Sequence, residues 1–156
     1  MFSSNYNVTF SGYWLDTNIT GMPDSSGVYC VYACTYNAFA NQVSLLRLLY
    51  IGEAVSVRER IQGHEKWSDW TRQISLGERL SFSTAGVTYP ANRTRIEAAL
   101  IFWHKPTCNT EYVNHFPFSN TVVSTSGTNA LLDTQFTVSE QPQPLASLLR
   151  ALGRTY

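Results

Sequence analysis

Gly27-Val28-Tyr29-Cys30-Val31-Tyr32, then Leu48-Leu49-Tyr50-Ile51-Gly52-Glu53-Ala54, then Val57-Arg58-Glu59-Arg60-Ile61-Gln62-Gly63-His64 is the stretch on which the reading of this chain turns. Val28 to Ala33 is rich in β-branched and aromatic residues and carries no charge, which fits a central strand. Leu45 to Ile51 resumes that chemistry as a second strand, and Gly52 closes it. Between them Thr35 to Ser44, with Asn37, Asn41 and Gln42, reads as a long hairpin connection. A helix over Ala54 to Gly63 buries Val57 and Ile61, four apart, and presents Arg60 and His64 at the same spacing on a neighbouring stripe. Two strands bearing tyrosines, followed by a guanidinium and an imidazole one turn apart, form a pattern suited to phosphate.

Downstream, Trp67, Trp70 and Ile74 recur at helical spacing within Glu65 to Leu76, and Gly77 ends that segment. Arg79 to Tyr89 alternates through Leu80, Phe82, Val87 and Tyr89 as a third strand, which Pro90 breaks. Asn92 is the expected cap of a helix from Arg93 to His104, with Ile96, Ala99, Leu100 and Trp103 as its buried stripe. Upstream, residues 1–25 read as an Asn- and Ser-rich arm packing on the body, with at most a short edge strand at Val8 to Phe10. Residues 110–156 read as an irregular extension of the same domain, with a linker at Glu140 to Pro144 and a short terminal helix over Leu145 to Leu152. The expected fold is α/β: a small three-stranded, mainly antiparallel sheet flanked by helices, with its core in residues 26–109.

Composition bounds the function classes. The chain has 156 residues, enough for one domain with a core of its own. Its three cysteines cannot all pair with one another, and no signal peptide is evident, so free thiols and a cytoplasmic setting are expected. No apolar run is long enough to span a membrane. Net charge is zero, which speaks against a strongly electrostatic nucleic-acid binder. The charge is uneven, however: Arg47 to Lys105 holds nine basic and six acidic residues, and the two ends together hold two basic and five acidic.

Gly27-Val28-Tyr29 followed by Tyr50-Ile51-Gly52 resembles the paired motifs of the GIY-YIG nuclease superfamily. Arg60 stands ten residues after Tyr50, where the family carries an arginine, and His64 follows at the position of a frequent histidine. Glu97-Ala98-Ala99-Leu100-Ile101, then Lys105-Pro106, then Asn109 is similar to the family's metal-binding helix and the turn after it. The resemblance spans roughly residues 26–109. Two departures stand out: Tyr29 and Tyr50 are 21 positions apart, a longer connection than the family's, and Glu59 replaces an often basic residue before the arginine.

This resemblance implies a metal-dependent DNA endonuclease. Tyr29, Tyr50, Arg60, His64, Glu97 and Asn109 are its implied catalytic set, with Glu97 the ligand of Mg²⁺, for which Mn²⁺ would substitute. The residue types suit such work. A carboxylate is a hard oxygen ligand for Mg²⁺, a guanidinium can hold a phosphate with two prongs, and a phenol serves as a base only where its phenolate is stabilised. Each residue also has a plain alternative. Glu97 reads as a solvated helix residue, Arg60 as a partner of Glu59 or Glu53, and the tyrosines as ordinary strand residues. His64 reads as a helix-end imidazole bonded to a backbone carbonyl, and Asn109 as an architectural residue more than a catalytic one. Arg93 and Arg95 flank Glu97 as candidate DNA contacts or as a solvated face. DNA is the expected partner, and a double-strand cut would require a homodimer or two sequential encounters. The alternatives to a nuclease are a non-catalytic nucleic-acid-binding module and a protein-interaction domain, the latter supported by Phe116 and Phe118 as surface aromatics.

Overall fold

A computed structural model of the chain describes residues 3–140 and Gly153. Along it run β1 (Ser4–Leu15), a 3-10 turn (Asp16–Gly21), β2 (Gly27–Asn37), β3 (Gln42–Ala54), α1 (Val57–Gln62), α2 (Trp67–Arg72), β4 (Arg79–Gly86), α3 (Pro90–His104), β5 (Thr121–Gly127) and β6 (Gln135–Val138). The six strands form one mixed sheet in the order β3-β2-β4-β1-β5-β6, curled into a half-barrel. Every neighbouring pair is antiparallel except β1 and β5, which run parallel.

The expected three-stranded sheet is therefore half of the one that forms. β3, β2 and β4 are the strands the apolar runs pointed to, and they do lie side by side and antiparallel. The N-terminal stretch expected to be an arm is instead β1, hydrogen-bonded along one edge to β4 and along the other to β5. Its residues alternate as a strand should: Val8 and Phe10 are buried while Asn5, Asn7 and Thr9 are exposed. Asn and Ser are poor strand formers taken singly, and pairing on both sides outweighs that preference. β5 follows the same logic, with Thr121, Val123 and Thr125 inward. The terminal helix expected over Leu145 to Leu152, and most of the linker before it, lie outside the described residues.

β2 is buried on both faces, so its two sets of side chains enter two cores. Val28, Cys30 and Tyr32 pack with Ile96, Ala99 and Leu100 of α3 on one side. Tyr29, Val31 and Ala33 meet Val57 and Ile61 of α1, Trp70 of α2, and Ile19 and Met22 on the other. Phe116 is wholly buried between Phe102 and Phe118, so it is no surface aromatic.

Three local expectations change. The long connection after β2 is mostly strand: β2 and β3 stay paired out to Asn37 and Gln42, and Asn37 Oδ1 accepts the amides of Phe39 and Ala40 across a short turn. α3 starts at Pro90, not at Arg93. Proline suits the first helical position because the amide it lacks would have no partner there. Along that helix Trp103 is half exposed, stacked on Phe136 of β6, while Ala98 and Ile101 are buried instead.

Candidate active site

β2 and β3 place the two motif tyrosines. Tyr29 pairs with Gly52 and Val31 with Tyr50, so Tyr29 and Tyr50 are diagonal neighbours on one face with ring centroids 6.2 Å apart. Gly52 is required by that arrangement, since a methyl group there would overlap the Tyr29 hydroxyl and ring. Burial, followed by Tyr50, raises the Tyr29 pKa well above the usual phenol range, against the pull of Arg60. Burial and then Glu97 raise that of Tyr50 to about 12. Both rings are therefore neutral phenols at rest.

Both tyrosines line a cleft of about 420 Å³ together with Arg60, Glu97 and Asn109. The cleft lies against the outer strand β3, with α1 supplying Arg60, α3 supplying Glu97, and the segment after α3 supplying Asn109. The Lys105 backbone turns left-handed (φ 49°) before Pro106, and the chain doubles back along β3. Cys108 N–H donates to the Leu49 carbonyl (2.8 Å). The Asn109 side chain accepts from Ile51 N–H (3.0 Å) and donates to the Ile51 carbonyl (2.9 Å), as a neighbouring strand would. Asn109 is thus an architectural residue that seals the edge beside Tyr50.

Arg60 and His64 do not share a helix face, as expected from their spacing, because α1 ends at Gln62 and Gly63 turns the chain. Arg60 reaches the cleft, where both prongs of its guanidinium donate to Glu65 at 2.7 and 2.9 Å. Neither Glu59 nor Glu53 is its partner. The His64 side chain is fully buried against Tyr50 (5.1 Å between centroids), Tyr29 (6.2 Å) and Trp70 (4.6 Å). Its Nδ1 accepts the Lys66 amide at 3.0 Å, so Nε2 carries the proton of the neutral ring, without a partner among the described residues. Burial, then the Arg60 charge, push its pKa down to about 4. The ring supports the tyrosines as a neutral wall and does not reach the surface where a phosphate would sit.

Glu97 is the most perturbed carboxyl in the cleft. Burial raises its pKa to about 8, and the like charges of Glu53 and Glu111 add to the effect. Among the described residues no cation or hydrogen-bond donor offsets it. Glu53 is already committed, because Arg93 Nε donates to it at 2.7 Å and the same guanidinium holds Ser26 Oγ and the Thr88 carbonyl. Arg93 is thereby a buried structural residue, and Arg95 is bound to Thr121 Oγ1 and to Ser119; neither forms a solvated face.

A cation fits the unmet charge at Glu97, and the donors around it are oxygens, as Mg²⁺ or Mn²⁺ prefers. Among the described residues no three His, Cys, Asp or Glu side chains gather into a metal cage. A divalent ion here would therefore keep most of its shell as water and substrate oxygen. Glu65, Lys66, Thr94, Glu111 and Tyr112 also line the cleft and were not singled out in the sequence, and Glu53, read there only as an ion-pair partner of Arg60, lines it too. Glu53 directly follows the second motif and Glu65 follows His64, but Glu111 and Tyr112 lie in a turn-rich segment with no pattern to mark them.

No family model, curated protein or solved structure matches this chain. No helix among the described residues is long and apolar enough to cross a membrane.

Proposed function

We propose that the cleft is a metal-dependent phosphodiesterase site of GIY-YIG type, acting on DNA as an endonuclease. The observation that supports this reading most is convergence. Tyr29, Tyr50, Arg60, Glu97 and Asn109, spread over 81 positions of sequence, line one cavity, and His64 backs the two tyrosine rings.

In this reading Arg60 grips two non-bridging oxygens of the scissile phosphate with the fork that now holds Glu65. Glu97 would hold the divalent ion, which would supply Lewis-acid polarisation of the phosphate and a more acidic water. The water oxygen attacks phosphorus, the bond to the leaving sugar oxygen breaks, and that oxygen takes up a proton. Tyr29 and Tyr50, neutral at rest, orient the attacking water by hydrogen bonding. Tyr29 becomes the proton acceptor only when added positive charge beside Arg60 and Glu97 stabilises its phenolate. His64 keeps the rings in place, and Asn109 keeps β3 aligned with α3.

The test is nicking of supercoiled plasmid at low salt with Mg²⁺, Mn²⁺ or EDTA, alongside Glu97→Ala. Nicking that needs the metal and vanishes in the variant is the expected result. Equal nicking by both proteins would sink the proposal, and duplex binding without nicking would assign the cleft to a non-catalytic DNA-binding module.

A further inference from the structure

We propose that Glu65 is an internal stand-in for phosphate: its carboxylate occupies the two-pronged face of Arg60 that a phosphodiester must take, so a ligand enters only by displacing it. The inference rests on the phosphodiesterase reading, which assigns Arg60 the phosphate. A carboxylate and a phosphate present the same pair of oxygens to a guanidinium fork, and the 2.7 and 2.9 Å bonds to Glu65 use both prongs. The Arg60 guanidinium makes no further hydrogen bond among the described residues, so its grip is wholly given to that carboxylate. The comparable two-pronged pair, Arg47 with Glu78, differs on this point, since Arg47 is also tied to the Gln73 carbonyl and lies outside the cleft.

Glu65 is placed to leave. It lies beyond the end of α1, its side chain is 66% exposed, and it packs in neither core. Arg60 is 38% exposed and lines both the main cleft and a shallower hollow formed by Ala54, Val55, Ser56 and Gly63. A phosphate on Arg60 would therefore have room for a substituent on either side.

The cleft's charge then selects the ligand class. Glu65 and Glu111 line it against Arg60 and Lys66, and Glu53 is already paired with Arg93, so a small free anion is met by carboxylate charge as well as by cation and must also displace Glu65. A phosphodiester inside a polymer has further contacts beyond the cleft to offset both costs. The site accordingly favours an internal phosphate of a nucleic-acid strand over inorganic phosphate or a mononucleotide.

The experiment uses full-length wild type, Glu65→Gln and Asp69→Asn in EDTA, with a short labelled DNA duplex read by fluorescence anisotropy and inorganic phosphate as competitor. Asp69→Asn makes the same charge change and frees Arg72, whose partner Asp69 is, outside the cleft. Glu65→Gln is expected to tighten duplex binding about two- to fivefold, in keeping with the small worth of exposed ion pairs. It should also let inorganic phosphate compete where it does not for wild type. Asp69→Asn should bring no phosphate competition. If Glu65→Gln and Asp69→Asn behave alike while wild type binds and nicks DNA, this inference falls and the nuclease reading stands. If neither wild type nor Glu65→Gln binds the duplex and wild type does not nick plasmid with Mg²⁺, both fall together.

Discussion

At the scale of single residues, the cleft is built from groups held at a cost. Glu97 has a carboxyl whose pKa is raised from the ordinary 4.5 to about 8. A raised carboxyl pKa favours the folded state while the group is neutral; that contribution is full below about 4.5 and is lost as pH rises through about 8. In EDTA at pH 9, Glu97→Gln should therefore be more stable than wild type by on the order of 2–4 kcal/mol, measured by urea unfolding. Equal stability at that pH would show that the carboxyl is better solvated than its surroundings indicate. Asn109 makes the opposite case, because both ends of its amide are used. Asn109→Ala strips Ile51 of two partners and should cost about 1–3 kcal/mol. Hydrogen exchange at the Ile51 amide would locate the loss, and unchanged protection would contradict the assignment. Gly52→Ala, which drives a methyl into Tyr29, should destabilise the fold and disturb the tyrosine pair together; normal tyrosine ring signals in its NMR spectrum would count against this.

At the scale of elements, β1 is where sequence and structure differ most. A short edge strand at Val8 to Phe10 was legible, but the asparagines and serines around it suggested an arm. What local pattern does not carry is the identity of the neighbours, and here β1 has one on each side. Deleting residues 1–15 should then yield protein without cooperative thermal unfolding, since β4 and β5 would each lose a partner along a full strand. A soluble, cooperatively melting truncation would mean the arm is dispensable after all. α1 was read in its buried residues but not in its length: Val57 and Ile61 are buried as their spacing implied, whereas His64 falls past the end at Gly63. That small difference sends the imidazole under the tyrosines instead of alongside Arg60.

At the scale of the molecule, two buried groups set opposing limits on stability. His64 has its pKa lowered from 6.5 to about 4, so its contribution is full above about 6.5 and is lost as pH falls through about 4. Glu97 weakens the fold in the other direction, from about 4.5 up to about 8. The two slopes oppose each other between about 4.5 and 6.5, and a melting temperature measured in EDTA should be broadest there and fall on both sides. Adding Mg²⁺ at pH 8 or above should recover part of the alkaline loss in wild type and none in Glu97→Gln. Recovery in both proteins would place the ion elsewhere.

The sequence by itself determined the three strands β2, β3 and β4 and the buried residues of α1, and the resemblance pointed to five of the residues that line the cleft, Tyr29, Tyr50, Arg60, Glu97 and Asn109. The strands and the helix follow from short-range patterns: runs of β-formers and helical spacing along a continuous stretch. Only the tertiary structure decided that the sheet has six strands, that Asn109 seals β3, that Glu65 occupies Arg60 and that Glu97 lies among like charges. Each of those depends on which segments distant in sequence become neighbours, and so on burial and on partners for backbone and charged groups that no local pattern specifies.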